Sequence, residues 1–319
     1  MIFEQLGVTA PVMQAPMGGG ISRHELAAAV SEAGGLGTIA VNGAGAIEHE
    51  LAAARKLTAR PVAVALLLPF VRRSWLPVVA KADAVVTFWG RPKRLTSGPW
   101  LHQAGSVDEA VSAHAAGADA VIVQGVEAGG HVRGTTPALE LLEQVRAALP
   151  ADYPLLLAGG IAEREDVRRA LDAGASAAMA GTRFLMSYES RAHERYRQRP
   201  LRAETTILTE LFGLGWPAAP HRVVPNAATT RGLTASGAVP AGTRALHRLS
   251  GIGSRYVPEA ALHRMVSRQH AGSRLLSPIT ATDDRGENLI DGGALYAGET
   301  VARIRDIRPA AELVAELTP

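Results

Sequence analysis

The sequence predicts an α/β protein, a (β/α)8 TIM barrel with a small, mainly helical second domain inserted before the C-terminal helix. The first observation is a recurring unit: an Ala-rich amphipathic helix, an Ala-Gly pair and a short apolar strand. Ala-Gly precedes Leu36–Ala40, Ala120–Val123 and Ser176–Ala180. Glycine suits the left-handed position that ends a helix, and strands that are apolar without alternation are typical of parallel strands covered on both faces. The second observation is that eight such strands alternate with helices, as in a barrel.

The predicted strands are Val12–Gln14, Leu36–Ala40, Val62–Leu67, Ala84–Phe88, Trp100–Gln103, Ala120–Val123, Leu155–Ala158 and Ala177–Ala180. Capping boxes at Ser22/Glu25 and Ser106/Glu109 predict helix starts. The connection Trp89–Pro99 is too short and too rich in proline for a crossover helix, so a turn is expected there. The alternative fold is an open doubly wound sheet, but the Gly-rich fingerprint that usually follows its first strand is missing.

The pattern changes after Arg199-Pro200, where prolines become frequent and helical stretches become short. We therefore predict a barrel from residues 1–202 and 293–319. Residues 203–292 are expected to form a small helical substrate or lid domain. A final helix, Thr300 to Leu317, is predicted to return to the barrel.

Composition excludes several classes of protein. The chain has 319 residues, 47% of them hydrophobic, and a net charge of +3. No apolar run approaches the roughly 18 residues that a membrane span needs, and no signal peptide is visible, so a cytoplasmic protein is expected. The absence of cysteine removes disulfides and thiolate chemistry. The basic residues are scattered among acids, so no nucleic-acid partner is expected.

Glycine pairs follow the last two predicted strands, at Gly159-Gly160 and Gly181-Thr182. Glycine lets backbone N–H groups approach an anion closely, and these two strand ends are the recurrent phosphate position of the fold. The pairs therefore predict a phosphate site. The alternative is that these glycines only form tight turns.

The loop from Gln124 to His131 is the most specific local feature. His131 follows two glycines where the mouth of the barrel is expected, and a histidine with a pKa of about 6.5 is suited to proton abstraction. The alternative is a surface-loop histidine, and His102, on a predicted strand, is its competitor as the functional histidine. No metal site is predicted, since the chain lacks HExxH and comparable clusters.

Several motifs together resemble the nitronate monooxygenase family, formerly called 2-nitropropane dioxygenases. The matching segments are Gln14-Ala-Pro-Met17, Gln124-Gly-Val-Glu-Ala-Gly-Gly-His131, Ala158-Gly-Gly-Ile161, Gly181-Thr-Arg-Phe184, Gly215-Trp-Pro217 to Asn226 and Ala294-Leu-Tyr-Ala-Gly298. The resemblance spans nearly the whole chain. It implies FMN, a barrel with a small substrate domain, and a histidine base, which would be His131. The family also contains flavin-dependent enoyl-acyl-carrier-protein reductases.

By the same resemblance, flavin contacts would fall on Ala15, Pro16, Met17, Ala65, Gln124, Gly129, Gly130, Gly159, Gly160, Met179, Ala180, Gly181 and Thr182. The chain departs from the family at two of these positions. Ala65 stands where the family often has asparagine, and Met179 where it often has glutamine. Both replacements remove a polar contact to the flavin.

The resemblance leads to three functional hypotheses. The favoured one is oxidation of a nitronate, or of a nitroalkane after His131 removes its α-proton, with electrons passing to FMN and then to O2. The second is reduction of an enoyl thioester by NAD(P)H through FMN, and the third is a barrel that binds flavin without turnover. The expected partners are thus a small-molecule substrate with O2 or NAD(P)H. A homodimer is left open.

Overall fold

The computed structural model describes residues 2–253, 267–284 and 286–319. The chain separates into two compact units. The first comprises residues 1–128, 133–191 and 306–319, and the second comprises residues 129–132 and 192–305. Residues 254–266 and 285, inside the predicted second domain, lie outside the described residues. The division predicted at residues 203 and 292 stays a prediction.

The first unit contains an eight-stranded parallel sheet that closes into a barrel. Its strands are β1 (Val12–Gln14), β2 (Gly37–Ile39), β3 (Val62–Leu67), β4 (Ala84–Phe88), β5 (Trp100–Ala104), β6 (Ala120–Gln124), β8 (Leu155–Ala158) and β9 (Ala177–Ala180). The order around the sheet is β1-β9-β8-β6-β5-β4-β3-β2. A parallel bridge between Met13 and Leu36 joins its two edges, and the Leu36 N–H donates to the Val12 carbonyl at 3.0 Å. The predicted fold class is confirmed.

Alternate strand residues divide between two apolar clusters. Leu101, Ile122 and Met179 share a cluster made mostly of strand residues, so they face the barrel interior. Trp100 and Val121 pack instead with residues of the surrounding helices. This period-two alternation fixes which side chains at each strand end face the inside of the barrel mouth.

Helices surround the barrel strands. They are α1 (Ile2–Leu6), α2 (His24–Glu32), α3 (Ala44–Leu57), α4 (Leu76–Val79), α5 (Val107–Ala115), α6 (Ala138–Ala148), α7 (Arg164–Asp172), α8 (Thr182–Leu185) and the C-terminal helix Ala310–Leu317, with 3-10 turns at Leu68–Phe70 and Arg73–Trp75. No helix among the described residues is long and apolar enough to cross a membrane.

Of the two predicted capping boxes, one is present in part: the Glu109 carboxylate accepts the Gly105 N–H and not that of Ser106. The Ser106 hydroxyl accepts the Glu109 N–H at 3.2 Å at the start of α5. The box predicted at Ser22 is wrong, because α2 begins at His24 with no side-chain cap. The Ser22 hydroxyl instead accepts the Met17 N–H at 3.0 Å and closes the loop that follows β1.

The short β4–β5 connection forms no helix, as predicted; the structure describes all of residues 89–99. Arg94 in this connection pairs with Asp119 at 3.0 Å, and its guanidinium lies 5.5 Å from the centre of the Trp100 ring. An irregular segment therefore contacts the outer side of β5 through Arg94, where a helix would ordinarily pack.

The second unit is mixed, not purely helical. It contains the antiparallel sheet β10-β11-β7, formed by β7 (Gly130–His131), β10 (Ile207–Thr209) and β11 (His221–Val223). Its helices are α9 (Glu194–Arg202), α10 (Ala227–Gly232), α11 (Ala241–Gly253) and Asn288–Gly292, with a 3-10 turn at Glu299–Ala302. The sequence did not predict this sheet. The single helix predicted from Thr300 to Leu317 is wrong, since the 3-10 turn ends at Ala302 and a helix starts again at Ala310.

Candidate active site

Four neighbouring strand ends, those of β6, β8, β9 and β1, form a glycine-lined rim in the first unit. Gly159 and Gly160, directly after β8, have φ values of +105° and +77°, which favour glycine. A Cβ on Gly159 would lie 3.3 Å from the Ala128 nitrogen, whereas a Cβ on Gly160 would meet nothing within 4 Å. Gly159 thus permits close packing of the loop after β6, and the space on the side-chain side of the Gly160 Cα is open.

The next part of the rim joins the end of β9 to the start of the loop after β1. The Ala15 N–H donates to the Ala180 carbonyl at 2.9 Å. A Cβ on Gly181 would lie 3.5 Å from that of Ala15. Helix α8 begins at Thr182 without a side-chain cap on its first turn. Both predicted phosphate-binding pairs therefore lie at adjacent strand ends of the barrel, as their positions in the sequence predict.

The inner wall below this rim is mainly apolar. Ala65 and Met179 pack in the interior cluster. The two positions where the family often has asparagine and glutamine therefore carry no polar side chain in this protein. Ala180 faces the helices instead. Among the predicted contacts in the first unit, Ala65 is separated from those at β8 and β9, since β3 lies across the barrel from these two strands.

Two buried amides supply polarity to this wall. Gln103 and Gln124 follow the inward-facing Leu101 and Ile122 by two residues, and each is 4% exposed. The Gln103 side chain makes no hydrogen bond to any described residue. A buried amide is normally satisfied, so Gln103 fits a polar group of a ligand held inside the rim. The sequence placed Gln103 at a strand end but gave it no role.

The glycines and Glu127 of the loop after β6 have structural roles. A Cβ on Gly125 would overlap Ala138, at 2.4 Å, and the Glu127 carboxylate accepts the Ala138 N–H at 3.0 Å, capping α6. Gly129 belongs to the second unit, where a Cβ would lie 2.5 Å from the Gly298 nitrogen. The glycines of this motif therefore permit close backbone packing, and Glu127 is a capping residue.

His131 lies in a cluster of aromatic rings in the second unit. Residues 131 and 221 are register partners in the β7–β11 pair, and their ring centres are 5.3 Å apart. Trp216 stacks on the His131 ring at 4.0 Å and 21°, and the Tyr296 ring lies at 5.5 Å. The Tyr296 hydroxyl donates to the Pro278 carbonyl at 2.8 Å. Packing on three sides fixes the orientation of the His131 ring.

Burial keeps both histidines of this cluster neutral. It lowers the pKa of His221 to about 4. Nδ1 of His221 lies 2.9 Å from the Ala219 carbonyl and Nε2 accepts the Phe212 N–H, which assigns the proton to Nδ1. Burial, and secondarily the nearby His221, lowers the pKa of His131 well below its ordinary value. At neutral pH His131 is therefore ready to accept a proton but is a weak base.

His102 lies in a different environment. It follows the outward-facing Trp100 by two residues, and the Trp100 indole donates to the Thr87 hydroxyl at 2.7 Å. That hydroxyl also lies 2.7 Å from Nδ1 of His102, within hydrogen-bond distance. Burial lowers the pKa of His102 to about 4. This buried network faces the outer layer of the barrel, so His102 has a structural role.

Within the described residues, His24, Glu25 and Glu50 form one group with the spacing of metal ligands. Nδ1 of His24 lies 2.6 Å from the Glu50 carboxylate, which also accepts the His24 N–H at 2.9 Å. Arg191 pairs with Glu25 at 3.2 Å. These contacts join the start of α2 to α3 and account for the cluster without a metal.

Comparison with known proteins places the chain in a family. The sequence pattern of the nitronate monooxygenase family matches residues 2–77 and 97–319. The chain belongs to the nitronate monooxygenase family. It is therefore an oxidoreductase of a flavin-dependent kind, as the motifs predicted.

Individual relatives with two different named activities are similar to this chain. A nitronate monooxygenase of Pseudomonas aeruginosa is 34% identical over 282 residues, covering 70% of this chain and 80% of the relative. A carboxyl-CoA dehydrogenase of Mycobacterium tuberculosis, which acts on an octahydro-indene, is 31% identical over 241 residues, covering 70% of this chain and 65% of the relative.

Solved structures match nearly the whole chain. The nitroalkane oxidase of Streptomyces ansochromogenes is 29% identical with a TM-score of 0.75, covering 99% of this chain and 96% of that one. FabK of Thermotoga maritima, at 24% identity, has a TM-score of 0.76 and covers 99% and 94% respectively, which supports the fold alone.

Proposed function

We propose that this family member is an FMN-dependent oxidoreductase that oxidises nitronates, and nitroalkanes after removal of the α-proton, with O2 as the acceptor and His131 as the base. The single observation that carries the chemistry is a neutral, half-buried histidine held in place by ring stacking. Family membership supplies the reaction class.

The residues of the first unit fit FMN better than a dinucleotide. The rim offers one glycine cradle, at Gly160 and Gly181, with open space at Gly160, and the chain lacks a dinucleotide fingerprint. In this proposal the cradle holds the phosphate, and Met17 and Gln124 lie at the adjacent strand ends. Bound FMN would supply two-electron chemistry and transfer to O2. The amide of Gln103 would offset part of the polarity lost at the positions of Ala65 and Met179.

The lowered pKa of His131 favours nitro compounds as substrates. A neutral imidazole accepts a proton, but a weak base removes protons only from an acidic carbon. A nitro group acidifies the neighbouring C–H bond, and a preformed nitronate needs no base at all. Reduction of an enoyl thioester requires a proton donor, and a histidine whose charged form is disfavoured suits that role less well.

The second candidate function is flavin-dependent chemistry on an acyl thioester. The specific observation in its favour is the Mycobacterium tuberculosis relative, whose substrate is a CoA ester. In that reaction NAD(P)H would reduce the flavin and the unsaturated thioester would accept the two electrons, so O2 would not be needed.

One experiment separates the two candidates. The yellow cofactor of the purified protein is released and identified, and oxygen uptake with a nitronate is compared with anaerobic bleaching by NAD(P)H. We expect FMN and nitronate-dependent oxygen uptake. Stoichiometric FAD would contradict the single-phosphate cradle, and rapid bleaching by NAD(P)H without nitronate turnover would favour the thioester reaction.

A further inference from the structure

A cleft of about 520 Å³ opens in the first unit beside the ends of β3 and β4. Its walls are the segment that follows β3, from Leu68 to Leu76, and the β4–β5 connection, from Gly90 to Leu95. Both segments continue from the C-terminal ends of their strands. Volumes of roughly 300–1,000 Å³ are typical of small-molecule sites, so the cleft has room for a reactant.

Basic side chains line this cleft and no acidic one does. Arg94 is engaged by Asp119. Arg73, Arg91 and Lys93 are exposed, and none of the three forms an ion pair with a described residue. Three uncompensated positive charges on two facing segments form a site for a multiply charged anion, most simply two or more phosphate groups.

The remaining walls are apolar. Leu68, Val71, Leu76 and Leu95 are half-buried along the same cleft. A purely inorganic anion would leave these side chains unused, whereas a phosphorylated molecule with a planar or apolar part would bury them. The combination indicates an organic phosphate.

The cleft is also built in part from sequence that is particular to this chain. The family pattern matches residues 2–77 and 97–319, so the wall from Gly90 to Leu95 lies outside the matched ranges. Arg91 and Lys93 stand on this wall. The charge of the cleft therefore depends on a segment that differs from the family pattern.

We propose that this cleft binds the diphosphate portion of a nucleotide-bearing reactant, the chemistry that CoA thioesters and NAD(P)H share. The inference rests on the second candidate function, the flavin-dependent reaction of a thioester with NAD(P)H, because nitronate oxidation with O2 uses no nucleotide-bearing reactant. It adds to that reaction a recognition site for the part of a reactant that takes no part in the redox step.

Calorimetric titration of the holoprotein with CoA, NADPH, NADH and inorganic phosphate, at low and at moderate salt, tests the proposal without turnover. We expect saturable binding of CoA or NADPH that weakens with salt. The double variant Arg91→Gln/Lys93→Gln should bind about ten- to hundredfold more weakly, since each lost contact is a charge-assisted hydrogen bond. The charge-matched control is Lys56→Gln/Arg60→Gln, which removes two exposed cations outside the cleft.

The outcomes are distinct. Binding of CoA alone identifies a thioester, and binding of NADPH alone identifies the reductant. Equal weak binding of inorganic phosphate and nucleotides, or equal losses in the two double variants, overturns the proposal. Nitronate oxidation by the wild-type protein is measured separately, so a failure of the proposed function leaves the binding result standing, and the reverse also holds.

Discussion

Replacing Gly160 with alanine separates cofactor binding from folding. The φ of +77° makes any side chain strained, but a Cβ there meets no protein atom within 4 Å. The strain costs about 1–2 kcal/mol. If the open space receives the FMN phosphate, the methyl group also displaces that phosphate from the backbone. Loss of one hydrogen bond to a charged group costs about 1.5–3 kcal/mol, which corresponds to a flavin Kd about ten- to hundredfold higher.

Gly117 provides the matched control, since its φ is +84° and a Cβ there also meets nothing within 4 Å. It ends α5 and precedes β6, away from the strand ends that form the rim. Both alanine variants should melt about 2–8 °C lower than the wild type. Fluorescence titration of the apoproteins with FMN should show weakened binding for Gly160→Ala alone. Equal FMN affinity in the two variants would refute the phosphate assignment.

Three further outcomes follow from the site. The pKa values of about 4 for His102 and His221 lie below that of the unfolded chain, so both groups stabilise the fold above about pH 6.5. The free energy of unfolding falls toward pH 4 by up to about 1.4 kcal/mol per pH unit for each histidine. In denaturant unfolding, the stability of His221→Asn should therefore depend less steeply on pH than that of the wild type. An unchanged slope would contradict the argument that burial lowers the pKa of His221. Trp216→Ala removes a ring stack on His131 worth about 0.5–1.5 kcal/mol. The kcat/KM for a nitroalkane should therefore fall about two- to tenfold, and its pH profile should shift. An unshifted pH profile would show that Trp216 only packs against His131. Gln103→Leu breaks no hydrogen bond to a described residue, so Tm should hold while FMN affinity or redox potential changes; no change in either would remove Gln103 from the cofactor site.

Local patterns predicted the barrel well because parallel strands here are short apolar runs bounded by Ala-Gly. The bounds of β1, β3, β4, β8 and β9 match the predictions residue for residue. The cap at Ser22 was wrong because the same hydroxyl binds the Met17 N–H in the folded loop. A local motif does not reveal which of two backbone donors a serine will bind.

The cluster around His131 could not be derived from the sequence alone. Its two-residue strand pairs with His221, ninety positions later, and Tyr296 comes from the far end of the second unit. Such contacts leave no periodic signal. The family motifs that contain Trp216 and Tyr296 were the available hint, and they gave no geometry. The sequence did not predict the basic cleft either, because only the fold brings Arg73 and Arg91 to the same cleft.

The proposed chemistry is tested most directly by the rates of His131→Asn on a neutral nitroalkane and on its preformed nitronate. Asparagine keeps polarity and approximate size but does not accept a proton near neutral pH. We expect the variant to retain FMN, to lose about 10²–10⁴-fold in kcat/KM on the neutral compound, and to oxidise the nitronate at a rate much closer to that of the wild type. Equal losses on both substrates, or wild-type rates on both, would contradict a general-base role for His131.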